Sequence, residues 1–172
     1  MHDGTTPDLA PGTLLVLVGP AGAGKTTYAR QFVPGTVRVS LDELRGRLAD
    51  DESDQGATTD AVSIQHAIID ARLARGLLTV VDSTGLLAHA RARLLAQARL
   101  YRRPCVAAVF ATPHEECVRR NAERSRRVPP AVLADQYADL PTRDQLCDEG
   151  FDHVLTVVTR SGGRVATTGS KM

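Results

Sequence analysis

The sequence predicts an α/β protein built on a doubly wound parallel sheet, and three observations carry the prediction. Five apolar runs rich in Val and Leu recur along the 172 residues, most of them continuous, as strands buried on both faces read. Longer segments with helical spacing separate them. A glycine-rich turn joins the first run to the first of these segments, where an α/β unit needs a tight strand-to-helix connection.

In chain order, strands are expected at 13–19 (TLLVLVG), 37–40 (VRVS), 77–82 (LLTVVD), 105–110 (CVAAVF) and 153–158 (HVLTVV). Helices are expected at 25–32, 41–48, 61–75, 87–101 and 114–124, so that strand and helix alternate throughout. The alternation breaks after the fourth strand at RSRRVPPAVLADQYADLPTRDQLCDEG. Pro129 and Pro130 open a helix there and Pro141 parts it from another, which predicts an inserted helical lid over about 124–149. One domain is expected over 13–158, with loose Gly/Ser/Thr-rich tails at 1–12 and 159–172.

Composition narrows the function. A 42% hydrophobic chain of this length builds a single core, and a net charge of +1 excludes a protein that coats long nucleic acid. Lys25 and Lys171 are the only lysines, and aromatics amount to 3%, which leaves few platforms for stacked bases. Cys105, Cys117 and Cys147 form neither a CxxC pair nor a Cys/His set at zinc spacing. With no signal-peptide pattern and no apolar run near the roughly 20 residues of a membrane span, a soluble cytoplasmic protein with no membrane partner is expected.

The strongest motif is Gly19-Pro20-Ala21-Gly22-Ala23-Gly24-Lys25-Thr26, which fits GxxxxGK[ST] between an expected strand and an expected helix. Such a loop curls its backbone N–H groups around phosphate oxygens at the positive end of a helix. Gly22, Ala23, Gly24, Lys25, Thr26 and Thr27 are therefore the expected nucleotide-binding residues, Lys25 reaching the β and γ phosphates and Thr26 offering its hydroxyl to Mg²⁺. ATP and Mg²⁺ are the expected cofactors. No NKxD string reads a guanine, and the chain is short for a motor ATPase, so a phosphotransferase with a lid fits best.

Asp42 and Arg45 follow the second strand, where open α/β sheets bind ligands. Asp42 suits a general base that takes the proton of an attacking hydroxyl, with Arg45 holding the acceptor's own anion. The alternative is an N-cap Asp paired with Arg45 at i+3. Asp82, at the end of the third strand, either supports Mg²⁺ with Thr26 or caps a helix, and Ser83 and Thr84 line the acceptor side or turn the chain. Arg119, Arg120, Arg124, Arg126 and Arg127 crowd one segment; they form a solvated, ion-paired helix, or Arg120 and Arg124 point at the transferring phosphates. The acidic loop ADDESDQGATTD lacks the Gly and Glu of a calcium-binding EF-hand, and His66, His89, His114 and His153 stand singly as structural or solvated residues.

GPAGAGKTT, VSLDELRGRLADDESDQ, GLLTVVDST, VAAVF, CVRRNAER and GFDHVLTV, with His66, resemble the 5′-end polynucleotide kinase module of bacterial RNA-repair kinase-phosphatase proteins, related to phage polynucleotide kinase. The resemblance covers 13–158, with LRGRLADDESDQ its most specific part. It implies a P-loop kinase fold of five parallel strands in the order 2-3-1-4-5. It also implies ATP and Mg²⁺ on Lys25 and Thr26, Asp42 as general base, Arg45 on the acceptor phosphate, and Arg120 and Arg124 in a phosphate-clamping lid. Gly85 stands where those relatives commonly have Asn, and no phosphatase or ligase segment accompanies the module, which is expected to stand alone. The expected activity is ATP-dependent phosphorylation of a polynucleotide 5′-hydroxyl end. The alternatives are a small-molecule alcohol as acceptor, or a nucleotide-responsive module without transfer.

Overall fold

All five residues of strand β1 (Leu14–Val18) are buried, so the strand is covered on both faces. Side chains alternate across a strand. Leu14, Val16 and Val18 accordingly join one cluster with Ile69, Leu73, Leu94 and Leu95, while Leu15 and Leu17 join another with Tyr28, Ala29 and Phe110. A continuous apolar run thus serves two core layers, and Leu17→Ala would cost about 2–5 kcal/mol.

The computed structural model describes residues 9–32, 37–124, 126–159 and 165–169. After β1 come α1 (Lys25–Phe32), β2 (Arg38–Ser40), α2 (Leu41–Ala49), α3 (Thr58–Ala74), β3 (Thr79–Asp82), α4 (Ala88–Leu100), β4 (Cys105–Phe110), α5 (His114–Ala122), α6 (Pro130–Ala138), α7 (Arg143–Glu149), β5 (His153–Thr159) and β6 (Val165–Gly169). The sheet order is β2-β3-β1-β4-β5-β6. The first five strands are parallel in the expected order 2-3-1-4-5.

Two expectations at the C-terminal side need correction. The tail expected over 159–172 contains β6, which pairs antiparallel with β5 from Thr159↔Val165 to Leu155↔Gly169. Val165–Gly169, which read as part of a loose end, form an edge strand instead, while 160–164 and 170–172 lie outside the described residues. Within the segment expected as lid, α7 is fastened to the core: Leu146 is fully buried in the first cluster, and Arg91 of α4 donates to Glu149 at 2.7 and 2.5 Å. Of the described residues in that segment, those that line the cleft belong to α6 and the stretch before it. Of the tail expected over 1–12, residues 1–8 lie outside the described residues, whereas Leu9 packs against the second cluster.

Strand order reverses at β1, whose neighbours β3 and β4 lead to opposite halves of the sheet. A crevice opens at such a point beyond the carboxyl ends of the strands. The glycine loop, Ser40 and Asp82 all sit there.

Candidate active site

A cleft of about 1130 Å³ runs from the glycine loop across the ends of β2 and β3 to α5 and α6. Gly22, Gly24, Lys25, Thr26 and Thr27 line it, while Ala23 turns its methyl into the second core cluster. The loop is braced from both sides: Gly19 N–H donates to Thr84 O at 2.9 Å, and Thr112 Oγ1 donates to Ala23 O at 2.9 Å. Gly22 has φ of 77°, and a Cβ there would lie 2.5 Å from the Cys117 carbonyl oxygen, so no other residue fits. Gly85 has φ of 61° and would set a Cβ 2.5 Å from Leu17 O, which explains glycine at that position.

Lys25 is buried, and its Nζ donates to Gly19 O at 2.7 Å and Pro20 O at 2.8 Å. Burial lowers its pKa to about 8; the neighbouring Asp82 carboxylate opposes the drop and the Arg124 guanidinium adds to it. Thr26 Oγ1 donates to Asp82 Oδ1 at 3.3 Å, and the other oxygen of Asp82 accepts from Arg38 Nη1 at 3.1 Å. Asp82 therefore caps no helix. Thr26 and Asp82 present hard oxygen donors side by side in the cleft, a set that fits Mg²⁺. Among the described residues no cluster of three or more His, Cys, Asp or Glu forms a separate metal site.

On the acceptor side the cap of α2 is Ser40, whose side chain accepts from Glu43 N–H at 3.4 Å. Asp42 is thereby free of the capping role; its half-exposed carboxylate faces the cleft and pairs with Arg45. Arg45 is buried and also donates through Nε to Glu52 O at 2.9 Å. Arg38, unassigned by sequence, bridges Asp82 to Glu43 with its side chain 9% exposed. Its signal was strand alternation, because Arg38 shares a strand face with Ser40 two residues on.

The five crowded arginines separate by position, Arg127 among those that line the cleft. Arg119 is exposed and held by Glu116 and Glu123. Arg120 lines the cleft and donates to Glu116 Oε1 at 2.7 Å. Bonds from Arg119 and then Arg120 hold the Glu116 carboxyl at about 2. Arg124 lines the cleft close enough to Lys25 to act on its charge. Arg126 instead reaches the acceptor side, donating to Glu52 O at 3.0 Å. Asn121 shapes this turn, its side chain bonding both the C=O and the N–H of Val128 at 2.8 and 3.0 Å. From α6, Gln136 Oε1 accepts the Ala21 N–H at 2.9 Å, and Tyr137 meets the His114 ring edge-on at 5.0 Å. His66 lies away from the cleft, bonded to Gln97 between α3 and α4.

A family model described as an AAA domain matches residues 14–141, most of the chain. The chain belongs to that family. This AAA domain has the P-loop kinase fold. A chain of the Pnkp1/Rnl/Hen1 RNA repair complex is 25% identical, with TM-score 0.66, over 81% of this chain and 46% of that one. The AAA domain therefore spans less than half of that relative. Chaetomium thermophilum Kti12, solved with ADP-AlF3, is 18% identical with TM-score 0.63 over 84% and 88% of the two chains. Mycobacterium tuberculosis APS kinase CysC, solved with AMPPNP and APS, is 20% identical with TM-score 0.50 over 73% of each. No curated protein matches the AAA domain by sequence. No helix among its described residues is long and apolar enough to cross a membrane.

Proposed function

We propose that the AAA domain is an ATP-dependent phosphotransferase that moves the γ-phosphate to the 5′-hydroxyl end of a polynucleotide. One observation carries the reading: a buried lysine in a phosphate loop, Lys25, and an uncapping, half-exposed carboxylate, Asp42, line the same cleft. Likeness to a chain of an RNA repair complex at 25% identity supports the polynucleotide acceptor.

In this reading the loop amides from Gly22 to Thr27 and the Lys25 ammonium hold the β and γ phosphates. Thr26 and Asp82 would hold Mg²⁺, which when bound neutralises charge on the phosphate oxygens. Asp42 takes the proton from the acceptor hydroxyl as its oxygen forms the new O–P bond and the bond to ADP breaks. Arg120 and Arg124 face the charge that spreads over the transferring group. Arg45 positions the acceptor, while α6 covers the cleft and excludes water. The three cysteines are free, which suits a reducing compartment such as the cytoplasm.

The same chemistry serves a small-molecule alcohol, a reading favoured by Tyr28 being the one aromatic among the described residues that line the cleft, which offers little base stacking. Labelled ATP incubated with a 5′-hydroxyl oligonucleotide, nucleosides and sugars separates the two. Label on the oligonucleotide is the expected result; label on a sugar or nucleoside alone overturns it, and ATP binding with no transfer to any acceptor overturns both.

A further inference from the structure

One peptide unit in the phosphate loop is held from both ends. The carbonyl of Pro20 accepts from Lys25 Nζ at 2.8 Å, and the N–H of the same unit, on the buried Ala21, donates to Gln136 Oε1 at 2.9 Å. Gln136 lies on α6, 115 residues further along the chain. Leu133 of that helix is buried and Tyr137 meets His114 of α5 edge-on. Because Leu133, Gln136 and Tyr137 stand three and four residues apart, one face of α6 carries both its anchor and its contact with the loop. At the other end of the peptide the lysine has three N–H donors. Two of them end on Gly19 O and Pro20 O, so the third is left with one direction, and it is the donor the loop offers a phosphate oxygen.

We infer that Gln136 is a positioning residue of the phosphoryl transfer, acting through the Pro20–Ala21 peptide to aim the Lys25 ammonium. The inference rests on the phosphotransferase reading and adds to it a residue that acts through another. An amide whose carbonyl accepts from a cation is polarised, and its N–H becomes the better donor. The bond to Lys25 and the bond to Gln136 therefore strengthen each other, and such a coupling acts equally in both directions. With Gln136 in place the peptide plane is fixed at both ends and the ammonium points one way. Without it the plane turns, one of the two carbonyls leaves the ammonium, and the charge no longer meets the transferring phosphate at a single angle. Alignment of the lysine is thereby tied to α6 lying over the cleft.

The experiment compares wild type with Gln136→Met, which keeps the length of the side chain and loses its oxygen acceptor, and Gln136→Glu, which keeps an acceptor in the same place. Label transfer from ATP to the 5′-hydroxyl oligonucleotide, or to whichever acceptor takes label, gives kcat and KM. NMR follows exchange of the Ala21 amide hydrogen in the nucleotide-free protein. Gln136→Met should lower kcat by roughly 5- to 50-fold with the KM for ATP within about threefold, because the charge stays beside the phosphates and only its aim is lost. Ala21 exchange should quicken by roughly tenfold or more in Gln136→Met and return near the wild-type rate in Gln136→Glu. Lys25→Met, which removes the cation at the far end of the peptide, should quicken it several-fold as well. ADP affinity within about threefold, measured by calorimetry, shows that the Gln136 variants are folded. Should Gln136→Met not fold, Gln136→Asn, one methylene short of Ala21, takes its place under the same criteria. An unchanged Ala21 rate in the Gln136 variant, a loss read mainly in KM, an unchanged kcat, or an Ala21 rate indifferent to Lys25→Met each overturns the inference while leaving the transferase reading in place. If wild type transfers label to no acceptor, the transferase reading falls first and the amide rates decide the link between Gln136 and Lys25. Quicker exchange in both variants then supports it, and a change in one alone or in neither overturns it.

Discussion

The two sides of the cleft hold their ligands by different means. The donor side is made of backbone: a loop pinned by Thr84 and Thr112, a glycine pressed on the Cys117 carbonyl, and a lysine buried among them. The acceptor side is made of side chains reaching across from separate elements, with Asp42 and Arg126 still partly exposed. The first is fixed by the core beneath it and carries little choice of ligand beyond phosphate. The second is tied by side-chain ion pairs and hydrogen bonds near the surface, so it is where substrate choice resides.

The sharpest test of this division is Asp42→Asn, which should reduce transfer by roughly 10²- to 10⁴-fold while ATP affinity, followed by calorimetry, stays nearly unchanged. A parallel loss of ATP binding would erase the boundary between the halves. Lys25→Ala should fail on both counts, losing roughly 10²- to 10³-fold in turnover together with nucleotide affinity.

A smaller effect belongs to pH. In the free protein the Lys25 pKa is lowered to about 8, whereas bound phosphates hold the ammonium protonated. Below that value binding involves no proton change at this residue; above it, binding must take up a proton. ADP affinity should therefore be flat from pH 6.5 to about 7.5 and then fall by up to about tenfold per unit, with proton uptake visible as a buffer-dependent heat. A curve that stays flat well above pH 8 would mean the lysine is charged throughout. The smallest change comes from Asn121→Ala, which removes two bonds to Val128 and should cost about 1–3 kcal/mol in urea unfolding, with only a few-fold drop in turnover.

What the sequence disclosed follows the same boundary. The glycine loop, the five parallel strands and the Asp42–Arg45 spacing are all local patterns, set by periodicity or by residues three or four apart. Arg38 was missed because its partner Asp82 comes from another strand, and Arg126 stood out only as one of five neighbouring arginines until its contact with Asp42 gave it a place. The membership of α7 in the core turns on Leu146, with Cys147 packed beside it and Glu149 held by Arg91, in a helix too short to show a periodic face. Ser40 as the cap in place of Asp42 was open to reading, since Ser40 also precedes the helix and its hydroxyl reaches Glu43 three residues on.

The reversed strand β6 has a practical consequence. Because Gly169 pairs with Leu155 near the start of β5, the chain leaves the sheet on the side away from the carboxyl ends that carry the cleft. A fluorescent tag, an affinity handle or a tether to a sensor surface attached beyond Gly169 is delivered to the rear of the molecule. Immobilising the protein by that end presents its working face outward.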